Sequence, residues 1–487
     1  MKLKAPYFPI IYVRGYAMTG SEIEATTSTP YMGFNLGATR LRQHWDGRVQ
    51  QHFFESPLIR LMKEHGYQDA YADGIRLEQG SEPIPPRTVF IHRYYDSADA
   101  DFGDGETLSI EEAAAALQQT IARIRERVCG DDPQARKAFR VHLVAHSMGG
   151  LICRCLLQND RFWQSEEAGQ VDRLFTYATP HNGIEMLGMN VPRFLGLWDM
   201  NNFNRRRIAE YLSLPDATDV SGLNGRFDPQ RVFCLVGTNP GDYDVAGGWS
   251  SRLAGARSDG LVRVENANVR GAPRAFVYRS HSGAFGIVNS EEGYQNLSRF
   301  LFGDLRVDGT LEIESLPLPP ALRKEKQAGR KVRASYFFEA TISPRAGGMY
   351  TLSERRKATH SAIFRKYDEL LKTDKPRWPC LFSTFLDSAR ITVGRTLVFS
   401  ADVVVSATDY EVDGVLMFRR HIPGENLFRD TVVIRATRQE DGWRLRYNLG
   451  DESWGEGLGR DAEGTYIPLR SRKGFVGRLR LDIQPWQ

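Results

Sequence analysis

Val144-Ala145-His146-Ser147-Met148-Gly149-Gly150 is entered by an apolar run from Arg140 to Ala145 and left by a helical pattern from Met148 to Gln158. A strand that turns into a helix at a serine holds that serine in a sharp, strained turn, the arrangement of a nucleophile elbow. Small residues at 145 and 149 suit such a turn, because larger side chains two before and two after the serine would collide with neighbouring strands. The turn lifts the hydroxyl above the carboxyl end of the sheet, where open α/β sheets carry their sites. The helix starting at Met148 aims free N–H groups and its positive dipole end at the same place. Ser147 is therefore the candidate nucleophile, and the Met148 amide a candidate oxyanion donor. A serine that only caps its helix would leave the same local pattern, so the partners decide.

In this arrangement an acid and a base follow the serine in the order Ser, Asp, His. Past the apolar run Val232 to Val236 lies Arg257-Ser258-Asp259-Gly260-Leu261-Val262, and past Phe276 to Tyr278 lies Arg279-Ser280-His281-Ser282-Gly283. Each segment follows a predicted strand, where a loop can present it beside Ser147. His281 would take the serine proton and return it to the leaving group. Asp259 would hold the imidazole tautomer and stabilise the imidazolium. Asp242 and Asp244 are the substitutes for the acid, and Asp-Gly is also a common turn pair. A second oxyanion donor is expected after the first strand, Pro9 to Val13, at the amide of Tyr16, since Gly15 permits close backbone approach.

The wider pattern agrees with this reading. Short apolar runs at 9–13, 88–92, 140–145, 174–178, 232–236 and 276–278 alternate with helical stretches at 109–127, 148–158 and 291–302. This is the pattern of a mostly parallel sheet covered on both faces. Ser109-Ile110-Glu111-Glu112 has capping-box spacing, which starts the first of these helices. The elbow Ala145-His146-Ser147-Met148-Gly149-Gly150, the later Ala178-Thr179-Pro180-His181-Asn182-Gly183, and the Asp259 and His281 segments together resemble the lipase/esterase branch of α/β-hydrolases. Proteins like glycosylphosphatidylinositol inositol-deacylase and small bacterial lipases with Ala at the first elbow position belong to that branch. The resemblance covers roughly residues 6 to 303. It implies ester hydrolysis through an acyl-enzyme, with no metal and no organic cofactor, and it makes His181 structural. One departure is Arg14-Gly15 where the branch usually carries His-Gly, which bears on the conformation of the oxyanion loop.

Two insertions, near 20–85 and 184–225, are expected to form a cap. The second carries Met186, Leu187, Phe194 and Trp198, followed by Arg205, Arg206 and Arg207. Adaptable apolar side chains of this kind suit a flexible acyl chain, and the arginines a phosphate; a packed helical cap would use the same residues. Phe53, Phe54 and Tyr67 in the first insertion are candidates for the opposite wall.

At 487 residues two domains are expected: 1–304 as the catalytic domain and 305–487 as a β-rich, sandwich-like accessory domain. The pattern changes after Gly303, with Leu316–Pro320 and the charged 323–331 read as a connection. Strands are expected at 332–342, 391–405, 412–418, 431–435, 443–447 and 475–483, and a helix at 361–371. Residues 330–487 hold 27 Lys/Arg against 20 Asp/Glu, while the whole chain carries only +4, so the remainder is slightly acidic. That balance argues against nucleic acid as a partner. It makes the C-terminal domain a surface suited to peripheral contact with anionic phospholipid headgroups.

Five sparse cysteines read as buried thiols of a reducing compartment. Asp96, Asp99, Asp101 and Asp104 miss the spacing of a calcium loop, with Gly103 where a ligand should stand. The N-terminus has no apolar leader, and no stretch is long enough to span a bilayer, so cytoplasmic residence is expected by default, with export independent of a signal peptide as the alternative. The leading expectation is a lipid-ester hydrolase. Thioesterase or acyltransferase activity on the same triad, and a non-catalytic scaffold on the same fold, are its competitors.

Overall fold

The computed structural model describes residues 3–15, 31–43, 46–72, 75–94, 96, 108–186, 189–190, 200–242, 255–329, 332–345, 350–391, 396–413, 419–422, 424–439, 442–450 and 458–486. The chain divides into two compact units. One comprises Met1–Arg274, Tyr278–Phe302 and Gln487; the other comprises Ala275–Val277 and Gly303–Trp486.

In chain order the first unit contains β1 (Ile10–Val13), a hairpin of β2 (Ala38–Gln43) and β3 (Val49–Phe54), α1 (Pro57–His65), β4 (Gln68–Asp69) and β5 (Thr88–Ile91). Then come α2 (Ile110–Cys129), β6 (Val141–His146), α3 (Met148–Gln158), β7 (Val171–Tyr177), α4 (Arg205–Tyr211), β8 (Val232–Gly237), β9 (Arg274–Val277), of which Ala275–Val277 group with the second unit, and α5 (Glu291–Phe302). Seven strands form one sheet in the order β9-β8-β7-β6-β1-β5-β4. From β8 through β4 every pairing is parallel. All residues of β1, β5, β6 and β8 are buried, as expected of a sheet with helices on both faces. The expected α/β-hydrolase architecture is present.

Local chemistry sets the helix ends. Ser109 caps α2 through a reciprocal capping box with Glu112, and Ile110, Ala113, Leu117, Ile121 and Ile124 form its buried stripe. Ser56 caps α1, Pro57 opens it, and Gly66 closes it in the left-handed conformation at φ 67°. Every residue of α3 is buried, so this helix is a core element rather than an amphipathic one.

The first insertion carries regular structure. Besides α1 it contains the β2–β3 hairpin, and β4, which joins the main sheet beside β5. Both escape sequence reading for physical reasons. The hairpin strands are rich in Arg and Gln and lack alternation, and a two-residue strand leaves no period.

The second unit consists of two antiparallel sheets. One has the order Cys380–Leu386, Leu305–Ser315, Val476–Pro485, Gly464–Arg470, Gly459–Asp461. The other has the order Ser353–Arg355, Val332–Pro344, Thr396–Asp413, Asn426–Gln439, Gly442–Leu449, with Ile363–Lys366 and Arg419–Ile422 paired onto it. Leu311, Ile313, Ile467 and Leu479 of the first share one core with Tyr336, Phe338, Val403 and Ile434 of the second. This is sandwich packing.

Four expectations need correction here. The sandwich begins at Leu305–Ser315, ahead of the supposed connection, and that strand lies between two partners. The connection itself contains a helix, Pro320–Gln327, whose Leu322 is buried in the core. The helix expected at 361–371 is instead the strand Ile363–Lys366 followed by the short helix Tyr367–Leu371. The strands expected at 391–405 and 412–418 also change: Thr396–Asp413 runs through Val412, and 414–418 lie outside the described residues.

Candidate active site

Ser147 sits between β6 and α3 with φ 52° and ψ −126°, a conformation few side-chain-bearing residues adopt. The neighbourhood leaves no room for extra atoms. A Cβ on Gly149 would fall 2.2 Å from the Val13 carbonyl oxygen, and one on Gly15 would fall 2.5 Å from the Ser147 Cβ. The end of β1 therefore passes directly against the nucleophile position, and glycine is required on both sides of the contact. Met148 is the first residue of α3, so its amide has no intrahelical acceptor. Tyr16, the expected second donor, lies outside the described residues.

Three side chains form a continuous hydrogen-bonded chain. The Ser147 hydroxyl is 2.9 Å from His281 Nε2, and His281 Nδ1 is 2.9 Å from Asp259 Oδ2. A carboxylate can only accept, so Nδ1 carries the hydrogen and Nε2 accepts from the serine. All three residues are buried. The other Asp259 oxygen accepts from the amides of Leu261 at 3.0 Å and Val262 at 2.7 Å. The turn reading and the acid reading of Asp259 are thus compatible: one oxygen closes the turn and the other faces His281. The His281 amide also donates to the Asp259 carbonyl at 2.9 Å. Among the substitutes, Asp242 accepts from the Asn239 side chain at 2.6 Å, and Asp244 lies outside the described residues.

Two contributors carry no signal that sequence reading used. Gly237 ends β8, and a Cβ there would come 2.7 Å from both the Asp259 Cβ and the Arg279 carbonyl oxygen. His146 Nε2 is 2.9 Å from the His281 carbonyl oxygen. Glycine at the end of a predicted strand and histidine inside the elbow were the available hints. His181 is buried beside Thr176 at 3.1 Å, and burial, then the nearby Arg154 charge, push its pKa well below the usual imidazole range. It takes no part in the triad contacts.

Of the second insertion, residues 187–188 and 191–199 lie outside the described ones. Met186 belongs to a two-residue strand, Glu185–Met186, paired antiparallel with Met189–Asn190, and its side chain is not among the described ones. Leu187, Phe194 and Trp198 lie outside the described residues. The arginines depart from expectation. Arg205 donates to the Asn182 carbonyl at 3.0 Å, and Arg207 pairs with Glu111 at 2.9 Å, so two of the three are engaged by protein groups. On the other side Tyr67 is buried with its hydroxyl donating to the Phe8 carbonyl at 2.8 Å, Phe54 is buried, and Phe53 is 66% exposed. Phe54 and Tyr67 are core residues rather than an exposed wall.

Among the described residues no three His, Cys, Asp or Glu side chains are grouped to hold a metal ion. Asp96 pairs with Arg93, and Asp99, Asp101 and Asp104 lie outside the described residues. Four cysteines are buried as expected, but Cys380 is exposed at the start of its strand. Among the described residues no helix is long and apolar enough to cross a membrane.

Comparison with known proteins adds the following. Residues 95–195 match the model of the PGAP1-like alpha/beta domain family. Over 102 residues the chain is 33% identical to triacylglycerol lipase 2 of Saccharomyces cerevisiae, a match covering 21% of this chain and 27% of the yeast protein. Among solved structures, a cell surface hydrolase from Lactobacillus plantarum WCFS1 aligns with TM-score 0.25 and 16% identity, covering 61% of this chain and 91% of that one. An iodinated complex of acetyl xylan esterase aligns with TM-score 0.17 and 12% identity, covering 37% and 65%. The chain thus has an α/β-hydrolase fold in its first unit, is similar at residues 95–195 to the PGAP1-like alpha/beta domain, and is similar over 102 residues to a triacylglycerol lipase.

Proposed function

We propose that this protein is a serine hydrolase of carboxylic esters, acting on lipid esters through Ser147, His281 and Asp259. The hydrogen-bonded chain from Ser147 through His281 to Asp259 carries the proposal. In the proposed reaction Ser147 Oγ attacks the ester carbonyl while His281 Nε2 takes its proton. The tetrahedral oxyanion is held by the Met148 amide, with the Tyr16 amide as second donor. His281 then protonates the departing alcohol, leaving an acyl group on Ser147. Water, deprotonated by the same nitrogen, releases the acid and restores the hydroxyl. Asp259 stabilises the imidazolium formed in both halves. Residues 1–304 act as the catalytic domain and 305–487 as an accessory domain. Met186, Leu187, Phe194 and Trp198 of the cap are assigned to contact with the acyl chain.

Two observations favour lipid over small soluble esters. The yeast relative is named as a triacylglycerol lipase. The β2–β3 register pairs Thr39 with Phe53, Leu41 with Gln51 and Gln43 with Val49. This puts Leu41, Val49 and Phe53 on one face, all at least 60% exposed. The neighbouring His52 ring lies 5.1 Å from Phe285, in the loop that follows His281. The hairpin thus meets the loop after His281 through its His52 face and exposes its apolar face on the other side, which suits a substrate presented in an aggregate.

The test is labelling by a fluorophosphonate probe, with hydrolysis of p-nitrophenyl esters of graded chain length. The parent chain should label, and Ser147→Ala should not. His281→Ala should lower kcat by about 10⁴-fold or more. Equal labelling of Ser147→Ala and parent would overturn the assignment. Faster turnover of thioesters, or acyl transfer to an added alcohol, would redirect the reading to those chemistries on the same triad.

A further inference from the structure

His146 is the last residue of β6, immediately before Ser147, and its ring centroid lies 5.0 Å from that of His281. Its Nε2 is 2.9 Å from the His281 carbonyl oxygen. A carbonyl only accepts, so Nε2 carries the hydrogen and donates it. The other edge of the ring faces β1: a Cβ on Gly15 would come 3.2 Å from His146 Nδ1. One imidazole is therefore packed between the strand end that passes the nucleophile and the backbone of the base.

The backbone of His281 is thus held at both of its polar groups. Its amide donates to the Asp259 carbonyl and its carbonyl accepts from His146. These bonds restrict the peptide from which the base side chain projects, and so the direction in which Nε2 meets Ser147. A lone buried donor suits this task only when uncharged, since a second cation beside the imidazolium formed in catalysis would be repelled. Burial, then the His281 charge, hold His146 well below the ordinary imidazole range, and Arg14 acts in the same direction.

We propose that His146 is a positioning residue for the base: its Nε2–H to His281 carbonyl bond fixes the orientation of the His281 imidazole toward Ser147. The catalytic meaning of this bond rests on the serine-hydrolase reading above, but the bond can be tested without it.

The test compares His146→Gln with His146→Met in the full chain. The two side chains have similar shape and length, but only glutamine can donate to the carbonyl. Three quantities are read: the second-order rate of fluorophosphonate labelling, kcat and KM for p-nitrophenyl butyrate, and the far-downfield proton resonance of the His281–Asp259 bond in the substrate-free protein. His146→Met should lower labelling and kcat about 10- to 100-fold with little change in KM, and should broaden or abolish the downfield proton. His146→Gln should return both rates to within a few-fold of the parent and keep the resonance. The proposal fails if His146→Met matches the parent in rate and resonance, or if His146→Gln is as impaired as His146→Met while both melt cooperatively. If His146→Met does not fold, His146→Asn, polar but too short to reach, takes its place with the same expected loss. A parent chain that never labels would overturn the hydrolase reading instead, and the resonance would then decide the role of His146 by itself.

Discussion

Gly237 lacks a side chain because of a residue that follows it by 22 positions. A methyl group there would stand 2.7 Å from the Asp259 Cβ and equally close to the Arg279 carbonyl. Neither neighbour is the free end of a flexible chain, so one of them must move. Gly237→Ala should therefore displace the acid or the strand leading to the base. Overpacking of this kind costs about 1–3 kcal/mol in stability, and a shift of the triad should cost more in kcat than in KM. Melting temperature and ester turnover of the variant check both; unchanged kcat would show that Asp259 tolerates the shift. Ser147, His281 and Asp259 were legible as candidates because each stands in a short motif with its own turn or strand context. The need for glycine at 237 was not, because it is a demand made by a distant segment. The same holds for His146, whose partner is 135 residues away.

The longer strands of the parallel sheet were legible because burial on both faces leaves continuous apolar runs, as in Val232–Gly237. Leu305–Ser315 was missed although Leu305, Val307, Leu311 and Ile313 are buried alternately along it; Gly309 interrupts the series in the middle. The β2–β3 hairpin was missed because Arg and Gln break its alternation; Ala38 and Phe54 are buried on one face, while Leu41, Val49 and Phe53 stand exposed on the other, a reversal of the usual sign. That reversal yields a prediction at the level of the hairpin. Replacing Leu41 and Phe53 together by serine should leave hydrolysis of a monomeric short-chain ester unchanged and lower the rate on vesicles or emulsions by about tenfold. An equal loss on both substrates would assign the hairpin to the site itself.

A second element-level prediction concerns α3. Arg154, fully buried on this helix, donates to the carbonyls of His181, Val220 and Gly222, each at 2.8 Å, and to the Gln158 side chain at 3.1 Å. It thereby ties the helix behind the nucleophile to two separate segments with no carboxylate among these partners. Arg154→Met keeps much of the volume but strands those acceptors. It should destabilise the protein by about 3 kcal/mol or more, read as a lowered denaturation midpoint with the slope of the transition unchanged.

At the scale of the whole molecule, the first unit folds around neutral imidazoles. His92 and His142 are each pushed down to about 4, mainly by burial. His146 and His181 lie well below the usual range for the same first cause. In the unfolded chain these side chains titrate near 6.5. As pH falls through about 6.5 the unfolded chain takes up protons that the folded chain still refuses, so the unfolded state binds more protons and stability falls with pH. The loss should begin near pH 6.5 and continue to about pH 4, where the folded chain begins to accept protons at His92 and His142. Above pH 7 these groups contribute no slope. Melting temperature should therefore drop steadily from pH 7 to pH 5, with proton uptake on unfolding measurable calorimetrically in two buffers of different ionisation enthalpy. His142 separates this effect from catalysis, because it lies near the opposite end of β6 from Ser147 and bonds the Pro6 carbonyl at 2.7 Å. His142→Gln offers the same carbonyl a donor that does not titrate. It should flatten the pH dependence by close to one proton and leave ester turnover at pH 7.5 intact. A melting temperature that stays level from pH 7 to pH 5 in the parent would mean that the buried imidazoles find compensation on protonation, and the neutral-core account would fall.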